Sequence, residues 1–96
     1  MPSAIVLAPE AVEDLRRVKA AVRASVKDAM ETHLRHAPEK TSRSRIKRLR
    51  GVSRPQYRLR LGDIRVFSDV TDGVVQVLAI VTKSETAAWL AQFGKL

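Results

Sequence analysis

Two dipeptides constrain this chain more than anything else in it. Gly62-Asp63 and Asp72-Gly73 cut the run from Tyr57 to Val81 into three segments of strand character. Turns this short force their neighbours to pair antiparallel. Tyr57-Arg58-Leu59-Arg60-Leu61 alternates strictly, which is the period of a half-buried strand. Tyr57, Leu59 and Leu61 face one side; Arg58 and Arg60 face the other. Ile64 to Val70 is the second strand. Val74 to Val81 is apolar almost throughout, so it is expected at the centre of the sheet with both faces covered. An antiparallel three-strand meander follows. Whether Arg65 shares a face with Arg58 and Arg60 depends on register, which the sequence leaves open.

Around this meander the pattern changes to helix. Ser3 to Leu7 reads as an edge or first strand. Pro9 suits a first helical turn, with Glu10, Glu13 and Asp14 near its positive end. Val12, Leu15, Val18, Val22, Val26, Met30 and Leu34 then recur at spacings of three and four. One unbroken helix to His36 would be long for so small a domain, so a helical hairpin bent between Lys19 and Arg23 is expected. Pro38 ends the helical region, Glu39 to Arg45 reads as a loop, Ile46 and Leu49 begin a new apolar stretch, and Gly51 to Pro55 is a turn. Thr82 and Glu85 fit a capping box, and a short helix runs from Ser84 to Phe93, closed by Gly94. Tyr57, Phe67, Trp89 and Phe93 mostly fall where a core would want them. The expected class is α+β: an N-terminal strand and helical hairpin, a three-strand meander and a short C-terminal helix, in one domain spanning residues 1–96.

Charge narrows the partners. The net charge is +8, and ten of the 18 Lys and Arg residues lie between Lys40 and Arg65, with Asp63 as the sole acid among them. A block of this kind attracts phosphate-rich polyanions. Lys47, Arg48, Arg50 and Arg54 fall in its first part, as candidates for general RNA binding. Arg58, Arg60 and Arg65 fall on strands, where their positions are fixed. A guanidinium stays protonated and is a poor general base. It binds phosphate bidentately and stabilises charge as a phosphodiester is attacked. Arg58 and Arg65 are both expected to be exposed, so reversing the two charges together should leave the fold intact.

Other chemistries find little support. The chain has no cysteine, which excludes disulfides and thiolate metal sites. His33 and His36 are its only histidines, and two ligands do not close a metal site. No cofactor and no metal are expected. There is no phosphate-binding glycine loop and no nucleophile elbow. No apolar run approaches the roughly 18 to 20 residues that span a bilayer, and Met1 to Glu10 lacks the pattern of a secretory leader. No membrane partner is expected, and a cytoplasmic location is.

The string Arg48-Leu49-Arg50-Gly51, then Tyr57-Arg58-Leu59-Arg60-Leu61-Gly62-Asp63-Ile64-Arg65-Val66-Phe67, then Asp72-Gly73 and Val77 to Val81 resembles the RelE/ParE superfamily of toxins from bacterial type II toxin–antitoxin pairs. The resemblance implies one of two targets. RelE-like members are ribosome-dependent endoribonucleases that cut messenger RNA, the RNA 2′-hydroxyl attacking the adjacent phosphate. ParE-like members inhibit DNA gyrase without being enzymes. A relative that has lost toxicity and only binds an antitoxin is a third reading. By position, Arg58, Arg60 and Arg65 match the basic strand residues of RelE-like enzymes, and Lys83 stands beside Ser84, where RelE has a further arginine. RelE's functional tyrosine falls near Trp89 or Leu90. The implied partners are a cognate antitoxin and either the ribosome with its mRNA or DNA gyrase.

Overall fold

The computed structural model describes residues 3–36 and 45–96. Lys40 and Arg43 of the basic block, Pro38 as a helix stop and most of the expected loop from Glu39 lie outside the described residues. The turn chemistry at the centre of the chain behaves as its residues require. Strand β3 (Tyr57–Leu61) leads through Gly62-Asp63 into β4 (Ile64–Thr71), and Asp72-Gly73 leads into β5 (Val74–Thr82). Asp72 and Gly73 both take positive φ, 48° and 75°, the conformation in which a two-residue loop twists in step with its strands. Two further strands extend the meander. β1 (Ala4–Leu7) pairs parallel with β5, and β2 (Ile46–Arg48) pairs antiparallel with β3, giving the order β1-β5-β4-β3-β2.

The ladder between β4 and β5 is not regular. Phe67 opposes Ala79 and Ser68 opposes Val77, so Leu78 has no partner on β4. A bulge of this kind adds twist and disturbs local pairing. Here the carboxylate of Asp14 accepts the Ile80 N–H at 2.9 Å. The acid sits on α1 (Pro9–Arg17), so this bond also ties helix to sheet.

The helical hairpin is present. α1 ends at Arg17, Val18 and Lys19 are extended, and α2 runs Ala20–His33. The bend thus falls at the start of the expected window. Its physical cause is Arg23, whose guanidinium donates to the carbonyls of Leu15, Arg16 and Val18 at 3.0, 3.1 and 3.1 Å. These carbonyls would otherwise be orphaned at the end of α1, and a cation there also complements the helix dipole. Arg23→Ala should cost about 1–3 kcal/mol, read as a lowered urea midpoint with unchanged denaturant sensitivity. An unchanged midpoint would show that the corner holds without it.

One face of the sheet carries the main core. Leu59, Val66, Val75, Val77 and Ile80 meet Ala11, Leu15, Val26, Met30 and Leu34 from the hairpin, all buried. As expected for a covered strand, β5 also buries Ala79 on its other face. On that side lies α3 (Thr86–Phe93), preceded by a 3-10 turn at Lys83–Glu85. The capping box forms, with the Thr82 N–H donating to Glu85 at 2.9 Å. Gly94 closes α3, but not in the left-handed conformation usual for a glycine cap: its φ is −67°. Glycine is needed for space instead, because a Cβ there would lie 2.5 Å from the Leu90 carbonyl oxygen. No residue of α3 is fully buried. Phe93, expected in the core, is 50% exposed, since α3 rests on the sheet through Trp89.

Candidate functional site

The register settles the question that the sequence left open. Arg60 stands directly opposite Arg65, Arg58 opposite Phe67, and Lys47 opposite Arg58. Directly opposed residues of an antiparallel pair share a face. Lys47, Arg58, Arg60 and Arg65 therefore share the face turned away from the helical hairpin. Lys83 lies at the end of this group: its backbone N–H donates to Asp63 O at 2.7 Å, beside the β3–β4 turn.

The electrostatics of this face are unbalanced. The ion pairs among the described residues join Arg16 to Glu13, Arg17 to Asp14, Arg35 to Glu31 and Arg54 to Asp69. None reaches the four cations. Arg58 is half-buried, and its Nε is buried without a hydrogen-bond partner. Burial, and then the charges of Arg65 and Arg60, hold its pKa below the ordinary arginine value. A desolvated cation beside two others is an unfavourable arrangement in isolation. An anion placed among them relieves it.

The four residues are not equivalent. Arg60 and Lys47 are exposed. Arg65 is only 6% exposed, which corrects the expectation that it would be open to solvent. Its Nη1 donates to the carbonyls of Gly62 and Ile64 at 2.7 and 3.0 Å, so it clasps the turn as well as contributing charge. A reversed charge at 65 would point a carboxylate at two carbonyl oxygens. The double reversal at Arg58 and Arg65 would therefore disturb the fold along with the site.

The other basic candidates are dispersed. Arg48 opposes Tyr57 and lies 5.1 Å from its ring centroid, a cation–π contact on the opposite face from Lys47. Arg50 is exposed in the segment after β2. Arg54 donates to Asp69 at 2.6 Å and to Gln76 at 3.1 Å, so its charge is neutralised locally. His33 and His36 lie at the end of α2 and beyond it. No group of three His, Asp or Glu residues among the described residues could hold a metal ion, and no described helix is long and apolar enough to cross a membrane.

Sequence reasoning missed the aromatic support of this face. Phe67 and Trp89 stack with centroids 4.8 Å apart and planes 3° from parallel. Phe67 is the cross-strand neighbour of Arg58, so the stack walls the arginines on one side. The strand parity of Phe67, the same as that of Arg65, is the signal that could have placed it there. The assembled face can bind a phosphodiester and stabilise added negative charge.

Residues 5–87 match the family model described as the ParE toxin of the type II toxin–antitoxin system parDE. No curated protein matches the chain by sequence. Among solved structures, the toxin–antitoxin complex RelBE2 from Mycobacterium tuberculosis aligns with a TM-score of 0.74 at 20% identity, over 85% of this chain and 99% of that one. A mutant of the Escherichia coli toxin RelE in its free state aligns at 0.73 and 19% identity, over 93% and 92%. The RelB–RelE antitoxin–toxin complex from Methanococcus jannaschii aligns at 0.68 and 19%, over 88% and 96%. At these identities the structures speak for the fold.

Proposed function

Since the chain belongs to the ParE toxin family of type II toxin–antitoxin systems, we propose that it arrests growth as a ribosome-dependent endoribonuclease, held in check by a cognate antitoxin. The observation that carries this reading is the unpaired Arg58 Nε on the same face as the directly opposed pair Arg60 and Arg65. In the step proposed, the RNA 2′-oxygen forms a bond to the adjacent phosphorus and the bond from phosphorus to the 5′-oxygen breaks. The 2′ proton leaves to solvent or to the ribosome, and the 5′-oxygen takes up a proton from the same surroundings. Arg58 and Arg60 hold the phosphate, and Arg65 adds charge from behind the turn. Fixed cations of this sort stabilise the charge that gathers on the phosphorane oxygens. Lys83 and Lys47 extend the positive surface along which the message lies, and Arg50 adds attraction at longer range. The cytoplasm is the compartment this target requires.

Primer extension on transcripts from cells expressing the protein should reveal cuts that appear only in translated regions. Growth arrest with every transcript intact would overturn the reading. A gyrase-directed toxin is the second reading, and one observation favours it. None of the described cations of this face can accept a proton while charged, and no described carboxylate forms an ion pair with Lys47, Arg58, Arg60 or Arg65; a toxin that only binds needs no acid or base there. In that case purified gyrase would lose supercoiling activity when the protein is added, and messages would stay whole.

A further inference from the structure

The open face of the sheet does not end at the arginines. Arg65, Phe67 and Asp69 take alternate positions of β4, so Asp69 lies on the face of Arg58, Arg60 and Arg65. Gln76 stands directly opposite Asp69 on β5 and shares that face. Asp69 is about 13 Å along the strand from Arg65, four residues at roughly 3.3 Å each. A few nucleotides cover that span at about 3.4 Å per stacked base. There Gln56, Asp69, Thr71 and Gln76 line a pocket of about 590 Å³, with the exposed Arg54 and Lys95 at its rim. The volume falls within the roughly 300–1,000 Å³ of small-molecule sites.

Hydrogen bonds orient the polar groups of this pocket. The Val70 N–H donates to Gln56 Oε1 at 2.8 Å, and Arg54 Nη2 donates to Gln76 Oε1 at 3.1 Å. An amide whose oxygen accepts has its Nε2 left as a donor. Both glutamines therefore offer N–H groups to whatever enters. Asp69 is engaged on both oxygens, by Arg54 Nε at 2.6 Å and by the Gln56 N–H at 2.7 Å. The remaining polar capacity is chiefly donating, yet the charge is nearly balanced. Arg54 pairs with Asp69, while Lys95 has no carboxylate partner among the described residues.

Such a site favours a neutral group rich in acceptors, since an anion would be set against the Asp69 carboxylate. Among nucleobases, guanine offers O6 and N7 and uracil offers O4, as thymine does in DNA, whereas adenine and cytosine turn an amine to the same place. Donor against donor leaves both unpaired. Unstacked bases of single-stranded RNA are read in this way. We propose that the pocket is a base-selecting subsite, which takes guanine or uracil and refuses adenine and cytosine through Gln56 and Gln76, with Lys95 against the adjoining phosphate. The inference rests on the endoribonuclease reading above.

The test uses the full chain and hexanucleotides of 2′-O-methyl RNA, which lack the attacking hydroxyl and stay whole. Each position is varied through the four bases. At one position guanine and uracil should bind at least about fivefold more tightly than adenine and cytosine. Gln76→Glu keeps an acceptor for Arg54 but loses the amine, so the preference should fall below about twofold. Arg58→Met should weaken every hexamer alike and leave the preference in place. Equal binding of all four bases at every position, with Arg58→Met still weakening them, overturns the subsite and leaves the arginine face standing. A preference that Gln76→Glu does not alter places base reading elsewhere and overturns it too. Capture of a glutamate-rich peptide that Gln76→Glu abolishes, with no base preference, assigns the pocket to a protein partner instead. Binding that neither the bases nor Arg58→Met change removes the RNA reading and the inference together.

Discussion

Arg58→Met should make the protein harmless without making it less stable. The substitution removes a desolvated guanidinium whose Nε has no partner and whose neighbours are two further arginines. Replacing a poorly compensated, half-buried charge by an apolar side chain of similar length is expected to be neutral or stabilising, as it commonly is for buried charges. The thermal midpoint is expected to stay level or rise, by roughly 4–8 °C for each kcal/mol gained in a domain of this size. The same change deletes the group best placed to grip a phosphate. A lost charge-assisted hydrogen bond of about 1.5–3 kcal/mol weakens binding of a short RNA by roughly 10- to 150-fold, and growth arrest should disappear. Arg58→Lys, which keeps the charge but not the fork, should fall between the two proteins in RNA binding. A folded Arg58→Met that arrests growth as before would show that the arginine face is not the site.

Phe67→Ala should cost about 3–5 kcal/mol, a large share of the roughly 5–15 kcal/mol that holds a small domain together. Phe67 is wholly buried and is the surface on which Trp89 stacks. α3 has no fully buried residue of its own, so losing this contact leaves it tethered mainly by its ends. Trp89 is the chain's one tryptophan, which makes its emission a direct report on α3. Emission shifted to the red before the main unfolding transition is the expected result, with a lowered urea midpoint. A variant with native emission and a midpoint within about 1 kcal/mol of the wild type would show that α3 is held by other means.

What the sequence revealed, and what it hid, follows from the range of the forces involved. The meander was legible because alternation and two-residue turns act locally: Tyr57–Leu61 has the boundaries its pattern implies. The hairpin was legible from a length argument, but its corner was not, since Arg23 acts across eight residues on the Leu15 carbonyl. β2 was hidden, because three residues are too few to display a period, and it exists through pairing with β3. The arginine face was half legible. Parity placed Arg58 and Arg60 together, while Arg65 needed the observed register. The burial of Arg65 was invisible in the sequence, because a charged side chain reads as exposed until its carbonyl partners are known. Arg54 looked like its basic neighbours until Asp69, 15 residues away, was found against it.

The clasp that Arg65 forms over the β3–β4 turn bears on heredity. A lineage under pressure to disarm this protein has two routes through the basic face. If the basic face is the toxic site as proposed, changes at Arg58 or Arg60 would remove charge and leave the turn closed, so a folded, inert descendant would persist. Changes at Arg65 would remove the clasp on the turn along with the charge, and such descendants should be lost to degradation. Survivors drawn from cells selected to tolerate the gene should therefore keep the arginine at 65 whenever the protein can still be detected, and vary at 58 and 60.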